Sequence, residues 1–127
     1  MLMNARTGGV VASAVEIADT RAARRKGLLG RNSLDLSAAL VLSPCFAIHT
    51  VGMRFPIDAL FINRDGVVVR VARDLAPWAI VVSWRANAVI ELAAGSLQAR
   101  DVRVGDRLFL AAEPARAGTA VSWPIPA

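Results

Sequence analysis

The stretch Ile57-Asp58-Ala59-Leu60-Phe61-Ile62-Asn63-Arg64-Asp65-Gly66-Val67-Val68-Val69-Arg70-Val71 decides the fold. Two apolar runs, rich in β-branched and aromatic residues, flank an Asn-Arg-Asp-Gly turn signal, the pattern of a β-hairpin. Strands are therefore expected at Ile57 to Ile62 and Val67 to Val71. Outward from the hairpin, further short runs read as strands: Val10 to Ile17, Ala39 to Ser43, Cys45 to Pro56 with a bend at Gly52, Ala79 to Trp84, Ala88 to Leu92 and Arg107 to Ala111. One helix stands out. Thr20 is a suitable N-cap for a helix from Arg21 to about Leu29, and Gly30 is placed to end it. Gly27 inside that helix costs about 1 kcal/mol relative to Ala, so the helix is short. Gly95 to Arg100 reads as a helical turn. The pattern predicts a mainly β chain: a small single-domain β-sandwich or barrel-like fold with one short N-terminal helix.

The chain has 127 residues, 55% of them apolar, enough for one core but hardly for two independent ones. The domain is expected over residues 10–112. Pro114, Gly118, Pro124 and Pro126 make residues 113–127 a loose tail. No apolar run reaches the ~20 residues of a spanning helix. Residues 1–15 lack a basic segment followed by an apolar core, so they read as no signal peptide and the chain as cytoplasmic. The net charge of +5 comes from 15 basic residues, all Arg except Lys26, and is spread along the sequence. Dispersed charge argues against nucleic acid, for which a patch or stripe is expected. The single cysteine, Cys45, excludes an intramolecular disulfide and a multi-cysteine zinc site within one chain.

Candidate chemistry concentrates between Arg24 and Glu91. Cys45 and His49, the only Cys and the only His, lie four apart and share one face of an extended strand. They would sit roughly 13 Å apart on a straight strand, so direct contact needs a bulge or bend. A Cys-His nucleophile, or a metal site from Cys45, His49 and Asp58, is one reading. A small core cysteine and a hydrogen-bonded histidine is the plainer one. Asp58 and Glu91 stand inside apolar strands, where an ionised carboxylate must be paired, hydrogen-bonded or exposed. Arg24, Leu28 and Arg31 fall on one side of the expected helix, so Arg24 or Arg31 is the expected partner of Asp58 or Glu91. Trp78, Trp84 and Trp123 show no cage spacing and are assigned to core or edge packing.

The blocks Arg24-Arg25-Lys26-Gly27-Leu28-Leu29-Gly30-Arg31, His49-Thr50-Val51-Gly52-Met53-Arg54-Phe55-Pro56-Ile57-Asp58, Glu91-Leu92-Ala93-Ala94-Gly95 and Val104-Gly105-Asp106-Arg107 resemble, in that order, the domain-of-unknown-function 192 (DUF192) family. The resemblance covers roughly Val15 to Leu110. It implies a compact, mainly β domain with a short helix near its start, and it implies no reaction. Many members carry a Trp-Met-Lys-Asn-Thr type of run before a Pro-Leu-Asp block, and many are exported. This chain resembles the branch with a His-Thr-x-Gly-Met run.

The resulting expectation is a non-catalytic binding or accessory domain that needs no cofactor. Arg24, Arg31, His49, Asp58 and Glu91 would line a site for a small anionic ligand or a peptide. The Cys45–His49 enzyme or metal protein is the alternative. Weak nucleic-acid binding through the basic helix is the second.

Overall fold

A computed structural model describes residues 1–112 and the short strand Ala120–Val121. The element order is β1 (Leu2–Asn4), β2 (Val10–Ala12), β3 (Ala14–Ala18), α1 (Arg21–Lys26), β4 (Ala38–Leu42), β5 (Ala47–His49), β6 (Ile57–Ile62), β7 (Val68–Leu75), β8 (Ile80–Val82), β9 (Ala88–Ala93), α2 (Ser96–Arg100), β10 (Leu108–Ala111) and β11 (Ala120–Val121). The chain is mainly β, as its alternating apolar runs predict.

The predicted hairpin is at the centre of this fold. β6 and β7 pair antiparallel, with Leu60 opposite Val71 and Ile62 opposite Val68. The Asn63 side-chain oxygen accepts the backbone N–H groups of Asp65 and Val67, at 2.9 and 3.0 Å. That local bond is why Asn opens the turn. Gly66 supplies the positive φ of 81°. The hairpin belongs to a five-stranded sheet of order β3-β4-β9-β6-β7. A four-stranded sheet, β11-β10-β1-β2, packs on one side, and the two-stranded ribbon β5-β8, a separate sheet, packs Ile48 and Val81 on the other.

Every residue of β6 and β9 is buried, because the five-stranded sheet carries a core on each face. On one face Leu60, Ile62, Ile90 and Leu92 meet Leu2, Val11, Leu97 and Leu108. On the other, Ala59, Phe61 and Val89 meet Leu28, Ile48, Met53 and Val81. Period-2 alternation therefore sends neighbouring residues of β6 and β9 into different cores. The expected single core is a pair of layers sharing one sheet.

Five boundaries differ from the sequence reading. The expected strand Val10 to Ile17 breaks at Ser13 into β2 and β3, which belong to different sheets. Residues 2–4, left outside the expected domain, form an inner strand between β10 and β2. The helix starts as expected, with the Thr20 hydroxyl accepting the Ala23 N–H at 3.1 Å. It stops at Lys26, however, because Gly27 at φ 48° is the C-cap, so Leu28 and Arg31 are not helical. The Cys45 to Pro56 run is a strand only over Ala47–His49, and Gly52 at φ 79° turns the chain after it. Of the expected loose tail, Ala120–Val121 pairs antiparallel with Leu110–Ala111. The rest of that tail, and Trp123, lie outside the described residues.

Candidate functional site

The early end of α1 leaves a pocket between the helix and the ribbon strand β5. Arg24, Arg25, Lys26 and Gly27 form one wall, Cys45 and His49 the other, with Met53 and Glu91 behind. Its volume is about 80 Å³, which suits a small ion or a compact polar group. Glu91 is the most buried charged residue of this lining, 3% exposed. A methyl group built on Gly27 would stand 3.6 Å from Glu91 Oε1, so the carboxyl lies directly behind the helix end. No hydrogen bond or ion pair reaches that carboxyl from the described residues. Burial pushes its pKa up to about 7, against the weaker downward pull of the Arg31 charge.

Arg24 is half-buried, and its Nη1 donates to the carbonyls of Asp19 and Ser43, at 2.8 and 3.4 Å. Arg25, Lys26 and His49 are exposed at the mouth. Cys45 is half-buried, and its Sγ donates to the Ala47 carbonyl at 3.1 Å rather than to His49. Burial raises the Cys45 pKa, and the Glu91 charge adds to that rise. A thiol held protonated in this way is a poor nucleophile.

Asp58 and Arg31 lie elsewhere. Asp58, 1% exposed, sits on the opposite face of the five-stranded sheet from Glu91. Its Oδ1 accepts the Asp74 N–H at 2.8 Å and its Oδ2 the Leu97 N–H at 3.0 Å. Both oxygens are thereby occupied in fastening the end of β7 and the first turn of α2. Arg31 bonds Glu16 Oε2 at 2.6 Å, with both side chains more than one-third exposed. The expected pairing of Asp58 with Arg24 or Arg31 is therefore not formed, because β6 turns Asp58 away from α1. Arg31 reaches Glu91 only through its field. Cys45, His49 and Asp58 do not converge either. Among the described residues no three His, Cys, Asp or Glu side chains are grouped to hold a metal ion.

The profile of the DUF192 family (uncharacterized ACR) matches residues 3–110. The chain belongs to this family. Among solved structures, a Sinorhizobium meliloti 1021 protein described as a candidate transcription regulator is similar at 28% identity and TM-score 0.69. The match covers 74% of this chain and 78% of that one. A Novosphingobium aromaticivorans DSM 12444 protein of unknown function superposes at 20% identity and TM-score 0.71, covering 84% of this chain and 81% of the other. No curated protein is similar enough to match.

In this DUF192 domain the four family-like blocks separate by task. The Arg24 to Arg31 block and Glu91 build the pocket. Asp58 staples α2. Asp106, in the last block, fastens the N-terminal strand: it accepts from Asn4 Nδ2 at 2.8 Å, Arg6 Nε at 2.6 Å and Arg103 N at 2.9 Å. Burial alone would raise its pKa, but the hydrogen bonds from Arg6, Asn4 and Arg103 outweigh that and hold it at about 2.

The sequence reading passed over Thr50. Its hydroxyl, in a buried residue, donates to the Ala76 carbonyl and accepts the Ala79 N–H, both at 2.7 Å. The Thr50 carbonyl also accepts the Trp78 N–H at 3.1 Å. Thr50 thus ties the end of β5 to the turn that enters β8. Its place directly after His49, in the motif run, was the available signal. No helix among the described residues is long and apolar enough to cross a membrane.

Proposed function

We propose that this DUF192 domain is a non-catalytic binding module whose site is the α1–β5 pocket and whose ligand is a small anion. The observation that carries the reading is Glu91: a buried carboxyl without a hydrogen-bond partner among the described residues, facing a pocket walled by three basic side chains. An unpaired buried acid is costly, and such groups concentrate where they meet a ligand. Near neutral pH the carboxyl is poised to carry a proton. It can then donate to an anionic oxygen while Arg25 and Lys26 balance the charge at the mouth. His49 on the opposite wall supplies a further donor. Arg31 and Asp58 do not line the pocket: Arg31 pairs with Glu16, and Asp58 fastens β7 and α2 on the far face of the sheet. The proposal includes a cytoplasmic setting, which a single unpaired thiol suits.

The test is an amide NMR titration with inorganic phosphate and with acetate at pH 6 and pH 8. Shifts centred on Gly27, Leu28, His49 and Glu91, with tighter binding at pH 6, are expected. Glu91→Gln should keep binding and weaken the pH dependence for acetate, whose own charge is constant between pH 6 and pH 8. Absence of any shift at millimolar anion, at both pH values, rejects the reading.

A second reading has one specific support, the resemblance to the Sinorhizobium protein described as a candidate transcription regulator. It assigns weak nucleic-acid binding to Arg21, Arg25 and Lys26. Affinity should then fall steeply with salt.

A further inference from the structure

The pocket mouth opens beside an apolar surface that its chemistry does not explain. Along β8 and its flanks, Trp78, Ile80 and Trp84 are 74%, 73% and 81% exposed. Ile80 is on the solvent face of β8, and Trp78 and Trp84 lie in the turns on either side of that strand. His49, opposite Ile80 in the register, shares that face and also lines the pocket. Phe46 extends the surface, its ring 5.0 Å from that of Trp84 at a tilt of 30°. The Trp78 backbone holds a positive φ of 71°, rare for a bulky residue, with its N–H bonded to the Thr50 carbonyl. An exposed cluster of large apolar side chains marks an interaction surface.

Charge narrows the occupant. Segments 20–30, 36–57 and 75–90, which build α1, the β5 region and the β8 region, contain six basic residues and no acidic one. The basic wall of α1 and strand β5 line one pocket, and β5 pairs with β8, which sets the basic and apolar surfaces beside one another. A second copy of this chain is a poor fit, since a two-fold contact would set the same basic residues against themselves. The partner must carry negative charge. It must also accept side chains that protrude without walls around them. A protein surface needs a preformed hole for each such residue, whereas a lipid interface closes around them. Base stacking does not use Ile80, and Trp84 already leans on Phe46.

We infer that this face, the Trp78–Ile80–Trp84 ribbon with the basic residues of α1, docks on an anionic lipid bilayer and sits in its interfacial layer. The pocket mouth is thereby held next to the membrane surface. The inference is independent of what the pocket binds.

The experiment is co-sedimentation of the full chain with phosphatidylglycerol-containing vesicles and with pure phosphatidylcholine vesicles, together with tryptophan fluorescence. Binding to the anionic vesicles, with a blue-shifted emission that high salt reverses, is expected. Each basic residue near such a surface is worth about fivefold in partitioning, so R21Q/R25Q/K26Q should weaken it on the order of a hundredfold. W78S/I80S/W84S should keep its melting temperature and lose both the binding and the shift. The basic-to-Gln variant, altered only on the helix surface, provides the test should the ribbon variant fold poorly. No binding to anionic vesicles at low salt overturns the inference, as does equal binding to both vesicle types. Binding to a single-stranded oligonucleotide but not to vesicles, abolished by the ribbon substitutions, overturns it in favour of nucleic acid.

Discussion

Asp58 and Glu91 are buried carboxylates on adjacent strands of one sheet, and they are treated in opposite ways. In the β6–β9 register Ala59 stands opposite Glu91 and Asp58 opposite Leu92, so the two residues are diagonal neighbours in the backbone. Their side chains leave by opposite faces. Asp58 enters the layer containing α2, where two backbone N–H groups meet its two oxygens. Glu91 enters the layer containing α1, where it meets the end of a helix, a pocket and no hydrogen bond from the described residues. A carboxylate whose oxygens are satisfied strengthens a fold; one left without partners weakens it and is free to act on something else. The first reads as a structural residue and the second as the heart of a site.

The comparison breaks first at Asp58. Asp58→Ala orphans the Leu97 N–H and leaves the Asp74 N–H to water, with an expected loss of about 3–5 kcal/mol in urea unfolding. Asp58→Asn, which keeps one acceptor, should recover roughly half of that. Hydrogen exchange at Leu97 should accelerate more than at α1. A loss below about 1 kcal/mol would mean that the staple carries little of the fold.

Glu91 should respond with the opposite sign. Its native pKa of about 7 lies above its ordinary value of 4.5. Between those values the folded state holds a proton that the unfolded state has released, so stability falls as pH rises through the window and is level above it. Glu91→Gln removes this loss. The variant should gain about 2–3 kcal/mol over the parent at pH 8 and almost nothing at pH 4. Melting curves across that range decide it, and a variant less stable than the parent at pH 8 would show that the carboxylate has a partner.

The hairpin, the Thr20 cap and the strands β4, β9 and β10 were legible because each rests on local chemistry: alternation, a turn residue, a capping hydroxyl. That Asp58 and Glu91 stand inside apolar strands was legible too, although exposure and burial were both left open for them. Which face each one takes was not. Period-2 alternation assigns Asp58 to the side of Leu60 and Ile62, but whether α1 or α2 covers that side is a tertiary choice. The parallel pairing of β3 with β4 and the inner position of β1 depend on equally distant contacts. Arg31 was misplaced for a local reason, since Gly27 was read as a tolerated interior glycine when it ends the helix. The tryptophans were assigned to core or edge packing because their spacing suggests no cage, but Trp78 and Trp84, in the turns that flank β8, are exposed.

A smaller effect is expected at Thr50, on the Glu91 side of the sheet. Thr50→Val keeps the shape and removes the hydroxyl, leaving the Ala79 N–H without that acceptor. The cost should be about 1–2 kcal/mol. It should be accompanied by a loosened Trp78 turn, visible as faster amide exchange at Trp78 and Ala79. Unchanged exchange there would place the cost elsewhere.

The smallest effect, at Arg31, sharpens the comparison most. The Arg31–Glu16 pair is largely solvated, so Arg31→Gln should cost no more than about 0.5 kcal/mol of stability at neutral pH. Glu91 nevertheless feels the Arg31 charge, which pulls its pKa down. Removing the charge should move the Glu91 midpoint upward, read from the carboxyl carbon shift in an NMR pH titration. The Asp74 and Leu97 amides, which Asp58 fastens on the far face, should keep their chemical shifts. If Arg31→Gln left the Glu91 midpoint in place, the pocket would be wetter than its burial implies, and the contrast between the two carboxylates would reduce to hydrogen bonding alone.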